Sequence, residues 1–444
     1  MYELIIEFFL SFLEAKYSKL RKKLKNIKFL YNFVILDKKF WRKKLNKKKL
    51  VLLFTIKEFY NIHLYKDVGL VPYYLSKGYE LETDIIYSNE KKVKVMEKFR
   101  NIKLEELKYY NLEKIIKKID KFKIFENISF YRYLLKEAKK IDYLMLFHLG
   151  TDKFFLIILY KFFNRKGRVY LKLDIELKYI KHYNQNFKNI FRKIQKNILK
   201  NILKKVDLIS CETKECFDEI RESGLCNLDI SNKLDYIPNG FDEDYLIENN
   251  IKVKKFEEKE NIMITVGRIG TEQKNNEMLL NVINKIDLKD WKIYIIGPYT
   301  EEFKKYYDGF IKSNPDKKDK VILIGNIEDK NLLFDYYNRA KIFLLTSKWE
   351  SFGIVLVEAL RFGDYIITTD VGGAKDITNN GEIGMITEIE NEEQYKNEIL
   401  KVINEKINLE EKYDHSLKWC EKNFLWNNIV KNEKFKKIFS MEAK

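Results

Sequence analysis

Four charged residues stand at spacings that suit chemistry: Arg268 and Lys274, six apart, and Glu350 and Glu358, eight apart. Arg268 follows the apolar run Ile262 to Val266 and Gly267, and Lys274 stands at the entrance to the next helical pattern. Two cations at a strand end, beside helix N-terminal amides, suit a phosphate or diphosphate. The guanidinium offers a planar fork and the ammonium a point charge. A surface cation pair is the plainer reading. Glu350 lies in the loop Ser347 to Phe352 after the apolar run Ile342 to Leu345. Glu358 falls in the first turns of a helical pattern carried by Ile354, Val355, Val357, Leu360 and Phe362. Both carboxylates therefore sit at the C-terminal edge of a parallel strand, where open α/β sheets bind ligands. A loop Glu and a solvated helix Glu would have the same spacing. Gly297 and Gly325 end two neighbouring strand patterns and leave room for a ligand near the backbone. Four strand endings in Gly, cation or Glu favour one shared cleft. In the first half, His148 lies near the end of the run YLMLFHL, at the corresponding edge, with a satisfied structural histidine as the alternative.

The elements that must position these residues read as two strand–helix series. In the first, Leu50 to Ile56, Glu80 to Tyr87, Tyr143 to Leu149, Val169 to Leu173 and Asp207 to Ser210 are strand patterns with helical patterns between them. In the second, Ile262 to Val266, Trp291 to Ile296, Lys320 to Ile324, Ile342 to Leu345 and Tyr365 to Thr368 repeat the scheme. The charged, coreless stretch EEKEN at 257–261 reads as the end of a linker. The expected fold class is α/β, with two doubly wound parallel-sheet domains facing a cleft. The expected boundaries are 1–49 for a basic N-terminal segment, 50–250, 251–422, and 423–444 for a C-terminal helix returning to the first domain.

A chain of 444 residues is too long for one core. Its net charge of +18 is uneven, and the first 50 residues hold 15 Lys and Arg against 4 Asp and Glu. Residues 1–49 read as basic amphipathic helices that can meet anionic lipid or pack on the following domain. The stripe Phe187, Ile190, Phe191, Ile194, Ile198 and Ile202, set among lysines, leaves the same two choices open. No run of about 18 uncharged apolar residues appears, so no spanning helix is expected. The first 13 residues lack a basic start and a cleavage site, which argues against a signal peptide. Four cysteines without a paired motif fit a reducing cytoplasm. The charge could also serve nucleic acid, but no zinc, helix-turn-helix or RNP pattern accompanies it, and no nucleic-acid partner is expected.

The segments TVGRIGTEQKN, YIIGP, VILIGNI, LLTSKWESFGIVLVEAL and TTDVGG follow one another in the order and spacing of glycosyltransferase family 4, which the chain resembles. ISCETKE, YIPNGFD and NFLW are similar to further landmarks of that family. The resemblance is strong over about residues 205–430, weak over 50–204 and absent from 1–49. It implies a retaining, metal-independent enzyme of the GT-B fold, with two Rossmann-like domains and a nucleotide-sugar donor in place of a cofactor. On matching positions, Arg268 and Lys274 would bind the donor diphosphate, with Gly267 and Gly297 beneath it. Glu350 would accept from donor sugar hydroxyls and Glu358 from the ribose. The amides of Phe352, Gly353, Ile354 and Val355 would add to the diphosphate site, and His148 would face the donor sugar. The acceptor would be a glycan or a lipid-linked species at the inner membrane face. The family's Gly-rich first loop is replaced by FTIKEFYNIHLYKDVG, whose Lys66 and Asp67 could bind donor or acceptor, with neither role assigned. Asp242, Glu243 and Asp244 match the letters of a metal-binding DxD, but follow a PNG turn and read as coincidence; no metal is expected. A non-transferring enzyme of the same fold, such as an epimerase or phosphorylase, is the alternative.

Overall fold

The computed structural model describes residues 47–56, 58–109, 127–186 and 188–440. The expectations for 1–46, for Phe187 and for the last four residues lie outside these. Eight strands form the first sheet: β1 (Lys49–Phe54), β2 (Glu82–Tyr87), β3 (Lys98–Phe99), β4 (Ile102–Glu106), β5 (Tyr143–Phe147), β6 (Arg168–Lys172), β7 (Leu208–Cys211) and β8 (Leu234–Tyr236). Their order is β3-β4-β2-β1-β5-β6-β7-β8, parallel except for the β3–β4 hairpin. Six strands form the second: β9 (Ile262–Val266), β10 (Lys292–Ile296), β11 (Val321–Gly325), β12 (Ile342–Leu345), β13 (Tyr365–Thr369) and β14 (Gly384–Thr387). Their order is β11-β10-β9-β12-β13-β14, parallel throughout.

Continuous apolar runs make these strands because helices cover both faces of a parallel sheet. In β1, Leu50, Leu52 and Phe54 enter one core while Val51 and Leu53 enter the core on the opposite face. In β9, Ile262, Ile264 and Val266 face one core and Met263 the other. The C-terminal helices Trp426–Ile429 and Glu433–Phe439 lie against the first sheet, placing Trp426, Phe435 and Phe439 in its core.

Two expectations require correction. The linker end at 257–261 is not coreless, because Lys259 is buried. Its ammonium meets the carboxylate of Asp364 at 2.8 Å and donates to the carbonyls of Tyr337 and Ala340. Such a charge is tolerable inside a protein only when paired and hydrogen-bonded in this way. Asp242 and Asp244 carry a structural network that their spacing did not reveal. Tyr74 and Arg100 bind Asp242, while Tyr73, Lys77 and Asn427 bind Asp244, so the crossover between the sheets is tied to the helix Asp67–Tyr79. The helical pattern 187–205 is a helix over Ile190–Lys205 that buries only its second half, Leu199, Ile202 and Leu203. Ile190 is 62% exposed and Ile194 40%. The short hairpin β3–β4 escaped the sequence reading, since IKLEE alternates charged and apolar residues at a sheet edge.

Candidate functional site

The second sheet brings Arg268, Lys274 and Glu350 to one edge. β9 ends at Val266, and Gly267 then donates to the carbonyl of Ile296 at 3.0 Å, holding the β9 and β10 ends side by side. Gly297 adopts φ +135, and a Cβ there would lie 1.8 Å from the carbonyl oxygen of Gly267. That contact is what fixes glycine at the floor of the site. Asn275, at φ +48, then turns the chain into the helix Asn276–Asn284, and Lys274 stands in the turn just before it.

Lys274 reaches across to the loop after β12. Its ammonium lies 2.5 Å from Oε1 of Glu350, and both side chains are about one-tenth exposed. Ser347 donates to the same oxygen at 2.6 Å, while Gln273 donates to Oε2 at 3.2 Å. Gln273 also accepts from Arg268, so one amide links the exposed guanidinium to the carboxylate. The loop is held from below: Gly373 donates to the carbonyl of Phe352 at 2.8 Å, and Thr369 to that of Ser347 at 2.6 Å. Gly372, at φ +51, lies so close that a Cβ would meet the Glu350 carbonyl at 2.9 Å. The two glycines of VGG thus position Glu350 through their lack of side chains.

Gly353, at φ +94, opens the helix Ile354–Arg361, and the first amides of a helix have no partner within it. Phe352 is buried, and Ile354 and Val355 are half-buried. These amides and the Lys274–Glu350 pair converge on one edge of the sheet, an arrangement that receives anions and hydroxyls together.

Glu358 belongs to a different neighbourhood. Tyr337 donates to its Oε2 at 2.9 Å, and burial pushes its carboxyl above the usual range, an effect opposed by Lys330 and the Tyr337 hydrogen bond. Lys330 lies among the rings of Tyr65, Tyr245 and Phe334, at 5.1, 4.7 and 4.9 Å from their centroids. Tyr65 comes from the first domain, so this cation stands where the two domains meet.

His148 sits on the first domain directly after β5, in the left-handed region at φ +59, an uncommon conformation for a non-glycine residue. Its Nδ1 is 4.0 Å from Asp174, and burial pulls its pKa down. The structure thus groups Arg268, Lys274, Glu350 and the Phe352–Val355 turn. It puts Glu358 one helical turn away with its own partners, and His148 on the opposite domain. Trp349, next to Glu350, receives the ammonium of Lys178 from the first domain at 5.7 Å from its ring centre. Gln273 and Ser347 are the site residues that sequence reasoning missed. Both sit within three residues of a recognised charge, which is the signal that could have found them. Among the described residues, no group of three or more His, Cys, Asp or Glu is arranged to hold a metal ion.

Residues 247–418 match the family described as Glycosyl transferases group 1. A Klebsiella pneumoniae protein named for its place in a cps region is 34% identical over 142 residues, covering 32% of this chain and 36% of that one. The capsular polysaccharide biosynthesis glycosyltransferase CapM of Staphylococcus aureus is 25% identical over 211 residues, covering 44% of this chain and 54% of its own. The matched stretches therefore span about a third to a half of these relatives' length. A solved structure of Anabaena HepE in complex with UDP-glucose superposes with a TM-score of 0.60 at 13% identity, over 88% of this chain and all of that one. The fold is that of the GT-B glycosyltransferases.

Proposed function

We propose that this chain, whose residues 247–418 match the family described as Glycosyl transferases group 1, transfers a sugar from a nucleotide-sugar donor to a glycan or lipid-linked acceptor. The observation that carries the reading is the Lys274–Glu350 pair, at a strand edge beside a helix N-terminus. HepE, of the same fold, was solved with UDP-glucose, and CapM is named for capsular polysaccharide biosynthesis. Both names suit such a donor and setting.

In the proposed complex the diphosphate takes Lys274, Arg268 and the amides of Gly353 to Val355. Glu350, released from Lys274 but still oriented by Ser347 and Gln273, accepts from donor sugar hydroxyls, because a carboxylate can receive a diol on two oxygens. Glu358 does the same for the ribose. The acceptor hydroxyl oxygen bonds to the sugar's C1 on the face that the diphosphate leaves. The C1–O bond to the diphosphate breaks, its electron pair stays on the leaving phosphate, and that phosphate takes the hydroxyl proton. The anomeric configuration is retained. Lys274 and Arg268 stabilise the negative charge growing on the phosphate, each worth roughly 3–4 kcal/mol by analogy with oxyanion donors. No step in this scheme requires a metal.

A place at an anionic membrane surface suits a lipid-linked acceptor. The exposed Ile190 and Ile194, beside the exposed Lys188 and Lys193, are the kind of face that lies on such a surface. No described helix is long and apolar enough to cross a membrane.

The test is transfer from labelled UDP-, GDP- and ADP-sugars by Lys274→Ala and Glu350→Ala chains. Each is expected to lose transfer by on the order of a hundredfold or more while unfolding as the unchanged chain does. Full activity in both would sink the assignment. Product analysis separates transfer from epimerisation and phosphorolysis.

A further inference from the structure

The first domain contains a charge cluster to which the scheme above gives no task. Lys172, the last residue of β6, has a side chain with no exposure at all. Its ammonium meets Oδ2 of Asp67 at 3.0 Å and is bonded to Glu212. The ammonium lies over the ring of Phe147, 5.5 Å from its centre, and the carbonyl of Lys172 accepts from the amide of His148 at 2.9 Å. Asp67 opens the helix after β1, Phe147 ends β5, and Glu212 directly follows β7. β1, β5, β6 and β7 are neighbours in the sheet, so three adjacent strand ends and the helix that follows the fourth strand supply the cluster.

A fully buried ammonium is unfavourable unless paired, and one carboxylate would suffice to pair it. Two are present, leaving the triad one negative charge in excess. Lys172 and Glu212 are closed to solvent, at 0% and 4%, whereas Asp67 is 14% exposed. Only Asp67 offers the excess charge outward, and it does so with one oxygen held by Lys172. On the same edge, Asp174 keeps a buried Oδ1 without a partner among the described residues, near the left-handed His148. An anionic, fixed acceptor of hydrogen bonds repels a diphosphate and suits a neutral alcohol.

We propose that Asp67 binds a hydroxyl of the acceptor sugar, and that Lys172, clamped by Glu212, is the positioning residue that fixes the Asp67 carboxylate toward the cleft. This rests on the transferase reading and deepens it by locating the acceptor. Asp67 accepts a hydrogen bond from the incoming hydroxyl; the proton still leaves with the departing phosphate.

The experiment uses the full chain, with the nucleotide sugar that it turns over and a panel of octyl glycosides as acceptors. Acceptor KM, donor KM and hydrolysis of the donor by water are read for Asp67→Asn and for Lys172→Met/Glu212→Gln. The double change keeps the excess of one negative charge, since it removes one of each sign, so folding does not depend on an unpaired buried carboxylate. Asp67→Asn is expected to raise acceptor KM by roughly 10- to 100-fold, the worth of a hydrogen bond to a charged group, with donor KM and hydrolysis unchanged. The double variant is expected to raise acceptor KM as well. An unaltered acceptor KM in both variants overturns the proposal, and so does a rise confined to donor KM, which would put Asp67 on the donor. Wild-type kinetics in the double variant alone reduces Lys172 to packing and overturns its positioning role. Failure of the unchanged chain to transfer to any acceptor counts against the transferase reading itself.

Discussion

Two lysine–carboxylate clusters occupy corresponding edges of the two sheets, and they are built differently. In the second domain Lys274 and Glu350 pair one to one, each about one-tenth exposed, with Ser347 and Gln273 as auxiliary donors to the carboxylate. Either partner can leave the other for a ligand without being stranded in an apolar interior. In the first domain Lys172 is sealed between Asp67 and Glu212, and opening it would leave a charge buried alone. The first arrangement permits an exchange of partners, and the second holds still. A third pair, Lys259 with Asp364, has no exposure on either side and hydrogen-bonds to backbone carbonyls away from that edge. Accessibility and placement, more than residue type, separate the proposed binding pair from the structural one.

The contrast can be broken by exchanging effects. Asp364→Asn is expected to cost about 3–5 kcal/mol, because it leaves the Lys259 ammonium buried and unpaired. Urea unfolding reads this, and a change below about 1 kcal/mol would contradict the structural role. Lys274→Met is expected to show the reverse pattern: transfer falls on the order of a hundredfold while unfolding moves by less than about 1 kcal/mol, since Glu350 keeps two donors and an opening to water. A large stability loss there would make Lys274–Glu350 a second Lys259–Asp364.

A smaller effect concerns Glu358. Burial raises its pKa, so lowering the pH protonates it earlier than an ordinary carboxyl, and a protonated acid has lost acceptor capacity for a diol. Affinity for whichever nucleotide the chain binds should therefore rise with pH through that raised pKa. The slope should vanish in Glu358→Gln, and calorimetry at several pH values checks both. The smallest stability effect belongs to Ile190→Lys/Ile194→Lys, within about 0.5 kcal/mol, since both positions are exposed. Cosedimentation with anionic vesicles should nevertheless fall, and unchanged binding would remove this face from the membrane proposal.

The second domain was the more legible in sequence. Its strands are continuous apolar runs ending in Gly, cation or Glu, and the local spacing already places Arg268, Lys274 and Glu350 at strand ends. Glu358 was harder, because its hydrogen bond comes from Tyr337, 21 residues away, and no periodicity encodes that. The Lys172 cluster was not legible at all. Lys172 sits inside the strand VYLKL, Asp67 lies 105 residues before it and Glu212 40 after, so only the folded sheet order brings them together. The Asp242–Asp244 network likewise depends on Arg100, on a hairpin whose alternating charged residues gave no buried-strand signal.

The central claim is that Lys274 and Glu350 part company to take a nucleotide sugar between them. The most direct measurement is a diffraction structure of the full chain with whichever of UDP-, GDP- or ADP-sugar raises its melting temperature most. The account predicts Lys274 Nζ on a diphosphate oxygen and Glu350 on donor sugar hydroxyls, with the ion pair broken. An intact Lys274–Glu350 pair with the nucleotide bound elsewhere, or no thermal shift with any of the three, would contradict it.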